Sequence, residues 1–307
     1  MSQTPVARLQ DVTKRIGGRT IIDRVSLEVY PGEVFGFLGP NGSGKTTTIR
    51  MMVGLMAMTS GDISIGGHSV KREYPKAASQ VGAIVENPEM YKYLTGYQNL
   101  VHFARMNPSI TRQRIDEVVK LVGLSGRIHD KVRKYSLGMR QRLGVAQAIM
   151  HRPKLLILDE PTNGLDPAGI RELRDYLRQL AQEEGTSVFV SSHLLSEMEL
   201  MCDRVAILQK GQLIDIRSIR GETGTAAKEA GEALFEVDHP DAALGILQGQ
   251  GSARIVDGLL QLTADRDLIA ETNKRLVEAG IRVYGIRAKT KSLEDQFLEV
   301  TGGETVG

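Results

Sequence analysis

The chain predicts an α/β fold: a doubly wound parallel core, an antiparallel β region before it, an inserted helical region, and a small α+β domain at the C-terminal side. Three observations carry this expectation. Residues 39–46 read Gly-Pro-Asn-Gly-Ser-Gly-Lys-Thr, a complete GxxxxGK[ST] loop between an apolar run at 34–38 and an amphipathic one at 45–55. Residues 154–158 form a second apolar run, of the kind buried in parallel sheets, that ends on Asp159 and Glu160. Past a stretch rich in Gly, Thr, Ala and Glu, residues 233–289 read strand, helix, two strands, helix, strand.

Along the chain, residues 8–29 alternate like half-buried strands, with turn residues at Gly17 and Gly18, and predict an antiparallel edge sheet. Gly61, Gly66 and Gly67 punctuate short strands, and residues 81–85 form another strand. Residues 95–125 are charged with a helical period, and Thr95 and Thr111 stand where N-caps belong, the latter before a helix over 112–121. A helix runs from about Gly138 to Met150, a further one spans 168–184, and a strand follows at 187–190. The expected domains are 1–217, a flexible connection over 218–232, and 233–307, where the helix at 267–279 stops at Gly280 and a closing helix starts at Ser292.

The 307 residues and 41% hydrophobic content support a large core plus a smaller one. With 39 basic and 37 acidic side chains the net charge is +2, so charge implies neither nucleic acid nor anionic lipid as a partner. The single cysteine, Cys202, cannot form an internal disulfide and reads as a packed helix residue. No leader is recognisable, and the expected compartment is a reducing cytoplasm. No run approaches the roughly 18–20 apolar residues of a membrane span, so any membrane role needs a partner.

The loop Gly39, Pro40, Asn41, Gly42, Ser43, Gly44, Lys45, Thr46 and Thr47 suits a triphosphate. Its glycines let successive N–H groups turn toward one anion, Lys45 can reach the outer phosphates, and the Thr46 hydroxyl can ligate Mg²⁺. Asp159, at the carboxyl end of its strand, can hold Mg²⁺ through water, while Glu160 is placed to take a proton from an attacking water. His193, just past a strand, is a candidate phosphate sensor. The small C-terminal domain carries no metal spacing, nucleophile constellation or phosphate loop, and reads as a packing or regulatory appendage.

Tyr135-Ser136-Leu137-Gly138-Met139-Arg140-Gln141-Arg142 places a Ser and a Gly before a helix whose positive end faces away from its own phosphate loop. Here the chain resembles the ATP-binding cassette (ABC) ATPases, whose LSGGQ motif stands at this place. The likeness runs from Arg8 to about Ile216 and takes in Asn163-Gly164-Leu165-Asp166-Pro167 as the D-loop, His193 as the switch histidine, and the segment 81–100 as the Q-loop. It implies a phosphate-loop ABC ATPase core using ATP and Mg²⁺. It also implies a head-to-tail dimer, in which Ser136 and Gly138 of one copy meet the γ-phosphate of ATP held by Lys45, Thr46 and Asp159 of a second copy, with Asp166 of the D-loop a further nucleotide-binding position.

The chain departs from the family pattern at a few positions. Glu86 stands where glutamine is usual; its carboxylate can offer Mg²⁺ an oxygen but adds charge near the triphosphate. Ile16 replaces the ring that stacks on adenine, and Leu137 and Met139 replace Gly and Gln. Glu-x-Pro-x-x-Tyr-x-x-Leu-Thr-x-x-x-Asn-Leu at 86–100, Tyr-Ser-Leu-Gly-Met, and the 292–298 tail resemble the bacitracin and lantibiotic exporters of the family. That likeness implies an energy subunit at the cytoplasmic face of the membrane, driving export through a separate integral membrane permease, with Tyr91, Tyr93 and Leu94 near the segment that would receive it. The alternative is a non-transport ABC ATPase acting on ribosomes or DNA. One phosphate loop per chain and no sustained heptads argue against it. A guanine-reading NKxD is missing too, since Asn273-Lys274-Arg275 is followed by Leu276.

Overall fold

The computed structural model describes residues 3–219, 231–247 and 253–289. They fall into two compact units that divide between Ile219 and Arg220. In the first, β1 (Ala7–Ile16) and β2 (Arg19–Val29) form the expected antiparallel pair, turning at Gly17 and Gly18, both with positive φ. After β3 (Val34–Leu38) and α1 (Lys45–Met52), the chain returns through β4 (Ser60–Ile65) and β5 (His68–Ser69) to complete this sheet in the order β2-β1-β4-β5. Helix α1 stops short of the amphipathic run because Gly54 takes φ +75°, and a Cβ there would sit 2.2 Å from the Tyr74 ring.

The second sheet holds the functional elements. Joined to β3 by sequence or by pairing are α2 (Tyr74–Ala78), β6 (Val81–Ile84), β7 (Leu155–Leu158), β8 (Ser187–Ser192), β9 (Arg204–Gln209) and β10 (Gln212–Ser218). The order is β10-β9-β3-β8-β7-β6, parallel throughout except for β10. Every residue of β3, β7 and β8 is buried, which is why these strands read as unbroken apolar runs rather than alternating ones. Phe189 of β8 lies against Phe35 and Phe37 of β3, with ring centroids 5.8 and 5.3 Å apart.

Helices α3 (Gly96–Ala104) and α4 (Arg112–Leu121) form the inserted region at the places the threonines marked. Thr95 and Gln98 make a reciprocal capping box at 3.1 and 2.9 Å, and Thr111 accepts the Arg114 N–H at 3.1 Å. Next come α5 (Leu137–Ile149) and α6 (Pro167–Glu183), the latter opening one residue early because Pro167 occupies its first position. Helix α7 (Leu195–Met201) ends at Cys202, whose buried thiol is pushed far up from its ordinary pKa by desolvation, as fits a packed residue. Among the described residues no helix is long and apolar enough to cross a membrane.

The second unit follows the predicted pattern: β11 (Gly231–Val237), α8 (Pro240–Ile246), β12 (Arg254–Val256), β13 (Leu259–Ala264), α9 (Arg266–Glu278) and β14 (Val283–Lys289). Its antiparallel sheet has the order β12-β13-β11-β14, a split βαβ arrangement, around Phe235, Leu260, Leu262 and Leu276. The expected connection at 218–232 is too wide. Ser218 still pairs with Arg204 at the end of β10, while Gly231 and Glu232 pair with Ala264 and Thr263, so ladder hydrogen bonds claim both ends of a stretch that composition alone assigned to a linker. The closing helix expected from Ser292 lies outside the described residues.

Strand β6 abuts α5 so closely that a Cβ at Gly82 would lie 2.1 Å from the Ala148 carbonyl oxygen, a backbone atom that cannot rotate away. Gly82→Ala is therefore expected to lower unfolding free energy by about 1–3 kcal/mol in urea titration.

Candidate functional site: the carboxyl ends of three parallel strands

In sequence the strands run β3, β7, β8; in space they run β3, β8, β7. Strand β8 is inserted between the other two, so the loops leaving all three strands meet at one sheet edge, the place where open α/β sheets present ligand sites. Lys45 follows β3, Asp159 and Glu160 follow β7, and His193 follows β8. The Gly39 N–H donates to the Ser192 carbonyl at 3.3 Å, tying the start of the phosphate loop to the end of β8.

The loop is shaped by close backbone approach. A Cβ at Gly39 would stand 2.3 Å from the Leu208 carbonyl oxygen, and Gly44, at φ +109°, would meet Ile22 at 2.4 Å. The Gly211 N–H fastens the Ser43 carbonyl at 2.9 Å from the β9–β10 hairpin. Gly44 is the N-cap of α1, and no side chain caps this helix, which leaves its amides for an anion. The buried Ser43 hydroxyl has no partner among the described residues. An uncapped helix start and an orphaned buried hydroxyl fit a phosphate group.

Lys45, only 6% exposed, donates to the Gly39 carbonyl at 2.6 Å and the Pro40 carbonyl at 3.3 Å. Its ammonium also lies 3.1 Å from Glu160 Oε1, an ion-pair distance without hydrogen-bond alignment. The other carboxylate oxygen, Oε2, is 2.9 Å from His193 Nδ1. Glu160 adopts φ +49°, a left-handed conformation that costs an L-residue about 1–2 kcal/mol. Ser191, which sequence reasoning passed over, helps hold it there: its hydroxyl accepts the Glu160 N–H at 2.9 Å and donates to Asp159 Oδ1 at 2.7 Å. A lone serine at a strand end carries no sequence signal; only its position opposite β7 gives it this role.

Ser136, Gly138 and Asp166 belong to a second cluster. Ser136 is exposed and caps α5 by accepting the Met139 N–H at 3.2 Å, and Asp166 caps α6 by accepting the Gly169 N–H at 2.9 Å. A Cβ on Gly138 would meet Leu165 at 3.6 Å, and one on Gly164 would meet Leu137 at 2.8 Å, so the two loops pack on each other. Glu86 takes φ +69° and is 62% exposed at its side chain, where the Arg50 guanidinium of α1 pairs with it. Ile16, at the end of β1, is half-exposed. Among the described residues no three His, Cys, Asp or Glu side chains form a metal cage. Mg²⁺ binds through one or two protein groups together with substrate phosphates, and the oxygen donors chemically suited to that, the Thr46 hydroxyl and the Asp159 carboxylate, follow β3 and β7.

Comparison with known proteins gives a consistent set of relatives. Residues 22–163 match the family model described as ABC transporter. The chain is 57% identical over 297 residues to the uncharacterized ABC transporter ATP-binding protein YhcH of Bacillus subtilis (strain 168), covering 97% of this chain and 96% of that protein. It is 38% identical to the bacitracin transport ATP-binding protein BcrA of Bacillus licheniformis, covering 98% and 99%. A solved structure of an ATP binding subunit of an ABC transporter superposes with a TM-score of 0.62 at 28% identity, over 69% of this chain and 90% of that one. A dimeric ATP-binding cassette with ADP and Pi, 23% identical over 70% and 99%, shares the fold at a TM-score of 0.62.

Ser191→Ala removes the acceptor of the Glu160 amide and a donor to Asp159. A loss of about 1–3 kcal/mol is expected, read as a lowered melting temperature.

Proposed function

The chain belongs to the ABC transporter family, and from that premise we propose that it is the ATP-hydrolysing subunit of a transporter, driving export through a separate integral membrane permease. ATPase activity is a property of the family's ATP-binding cassettes. The observation that carries the reading for this chain is the convergence of Lys45, Glu160 and His193 where β3, β8 and β7 end. Lys45 and the backbone of residues 39–47 bind the phosphates, Glu160 accepts a proton from the attacking water, and His193 hydrogen-bonds the terminal phosphate. Thr46 and Asp159 would hold Mg²⁺, which when bound neutralises charge on the phosphate oxygens. Glu86 would reach the ion only after parting from Arg50.

A second copy of the chain completes the site in this reading. Ser136 and Gly138, at the positive end of α5, would face the terminal phosphate held by the other copy, with Asp166 beside them. Their support is the exposed position of Ser136 and the packing of the two loops into one unit. Hydrolysis then removes the charge that the two copies share and lets them part. The export role, for a drug or peptide antibiotic, is supported by the likeness to BcrA over nearly the full length of both chains. The permease would dock at the cytoplasmic face of the membrane near Tyr91, Tyr93 and Leu94; Tyr91 and Tyr93 are exposed with ring centroids 5.8 Å apart, and Tyr91 meets His102 edge-on at 5.1 Å.

Glu160→Gln is expected to cut ATP turnover by about 100-fold or more while an ATP-bound dimer accumulates on sizing chromatography. Ser136→Arg should keep nucleotide affinity and lose that dimer; lost affinity instead would remove the proposed pairing of copies. For the transport role, the tagged chain is expected to co-purify from detergent-solubilised membranes with an integral membrane protein, and Tyr93→Glu should abolish that capture without altering ATP turnover by the isolated chain.

A further inference from the structure

The loops that carry Glu160 and His193 are joined a second time, away from their own hydrogen bond. Thr162, two residues beyond Glu160, donates its hydroxyl to Glu197 Oε2 at 2.6 Å. Ser192, the residue before His193, donates to the same oxygen at 3.2 Å. Both hydroxyl-bearing residues are buried. The Ser192 hydroxyl also accepts the Leu194 N–H at 3.0 Å, so its single proton is left to point at Glu197. Glu197 stands in the first turn of α7, one short turn past His193, and Leu194 leaves that helix without a side-chain cap. An ionised carboxylate, accepting only, suits two converging hydroxyl donors and makes both bonds charge-assisted.

We propose that Glu197 is a positioning residue for ATP hydrolysis, fixing the separation of Glu160 Oε2 and His193 Nδ1 by holding Thr162 and Ser192 on one oxygen. In this role it acts through Thr162 and Ser192 rather than on the reacting groups themselves. The inference rests on the reading that Glu160 and His193 act on the attacking water. Without Glu197, the turn after Glu160 and the turn after β8 keep, among the described residues, the Glu160–His193 contact itself and Ser191, and that serine acts on the backbone of Glu160 and on Asp159 rather than on the His193 loop. Placement of catalytic groups to within a fraction of an ångström is what such an anchor supplies.

The test is steady-state ATPase kinetics on the full chain carrying Glu197→Ala, Glu197→Gln or Thr162→Val, beside Glu160→Gln. Glu197→Ala is expected to lower kcat by about 10- to 100-fold while KM for ATP moves less than about twofold. Glu197→Gln retains an acceptor oxygen and should restore kcat to within about threefold of the parent. Thr162→Val should lower kcat alone and add nothing on top of Glu197→Ala, since both break one network. It also stands as the test if the alanine variant fails to fold. Unchanged kcat in Glu197→Ala or Thr162→Val, a KM that rises in step with the fall, or a glutamine variant as slow as alanine overturns the positioning role. Full turnover by Glu160→Gln would instead remove the underlying hydrolytic reading, whatever Glu197 does.

Discussion

Glu160 divides its carboxylate between two strands' worth of structure: one oxygen lies against the Lys45 ammonium after β3 and the other against the His193 ring after β8. Because Glu160 itself follows β7, this one side chain can satisfy both partners only if the three strands are neighbours in the order β3, β8, β7. The parallel register, with Leu38 opposite Ser192 and Leu158 opposite Val190, ends β7 two residues before β8, so Glu160, two residues past β7, comes level with the ends of β3 and β8. A slip of one residue would turn each strand's side chains to the opposite face and scatter the three groups. Complete burial of these strands, with Phe189 wedged against Phe35 and Phe37, is what resists such a slip.

Around that carboxylate, small hydroxyls do the aligning. Ser191 balances the unfavourable backbone of Glu160 with a hydrogen bond to its amide, a net gain of about 0.5–1.5 kcal/mol against a cost of about 1–2 kcal/mol, so further contacts must complete the compensation. Thr162, Ser192 and Glu197 form a second set behind the first. Strain held by several short bonds keeps a carboxylate aimed without burying it wholly, which is the condition a proton acceptor needs if water is to reach it.

One departure from the family's usual residues, Glu86, also has a local partner. Glu86, where glutamine is common, is met by Arg50, and a charged pair stands in place of a neutral amide. The pair is exposed and so contributes little stability; its consequence is electrostatic, since the Arg50 guanidinium offsets the added negative charge. Ser136 and Asp166, expected near a shared nucleotide, are at the same time helix caps, so their hydroxyl and carboxylate are already oriented by α5 and α6. A capping side chain is held still by the one first-turn amide it takes up, and the remaining amides of that turn stay available to an anion.

The sequence by itself determined the phosphate loop, the buried strands, the threonine caps and the βαββαβ order of the second unit, because each of these depends on residues adjacent in the chain and on a period of two or 3.6. It also marked Lys45, Asp159, Glu160 and His193 as chemistry-bearing. It did not mark Ser191, Ser192, Thr162, Glu197 or Arg50, which are ordinary residue types in ordinary surroundings until β8 passes between β3 and β7. Nor did composition place the ends of the linker, where Ser218, Gly231 and Glu232 are taken up by strand pairing. Only the tertiary structure decided these, since links such as Ser191–Glu160, Thr162–Glu197 and His193–Glu160 join residues far apart in the chain and depend on which strands lie side by side, and strand order is not written in local periodicity.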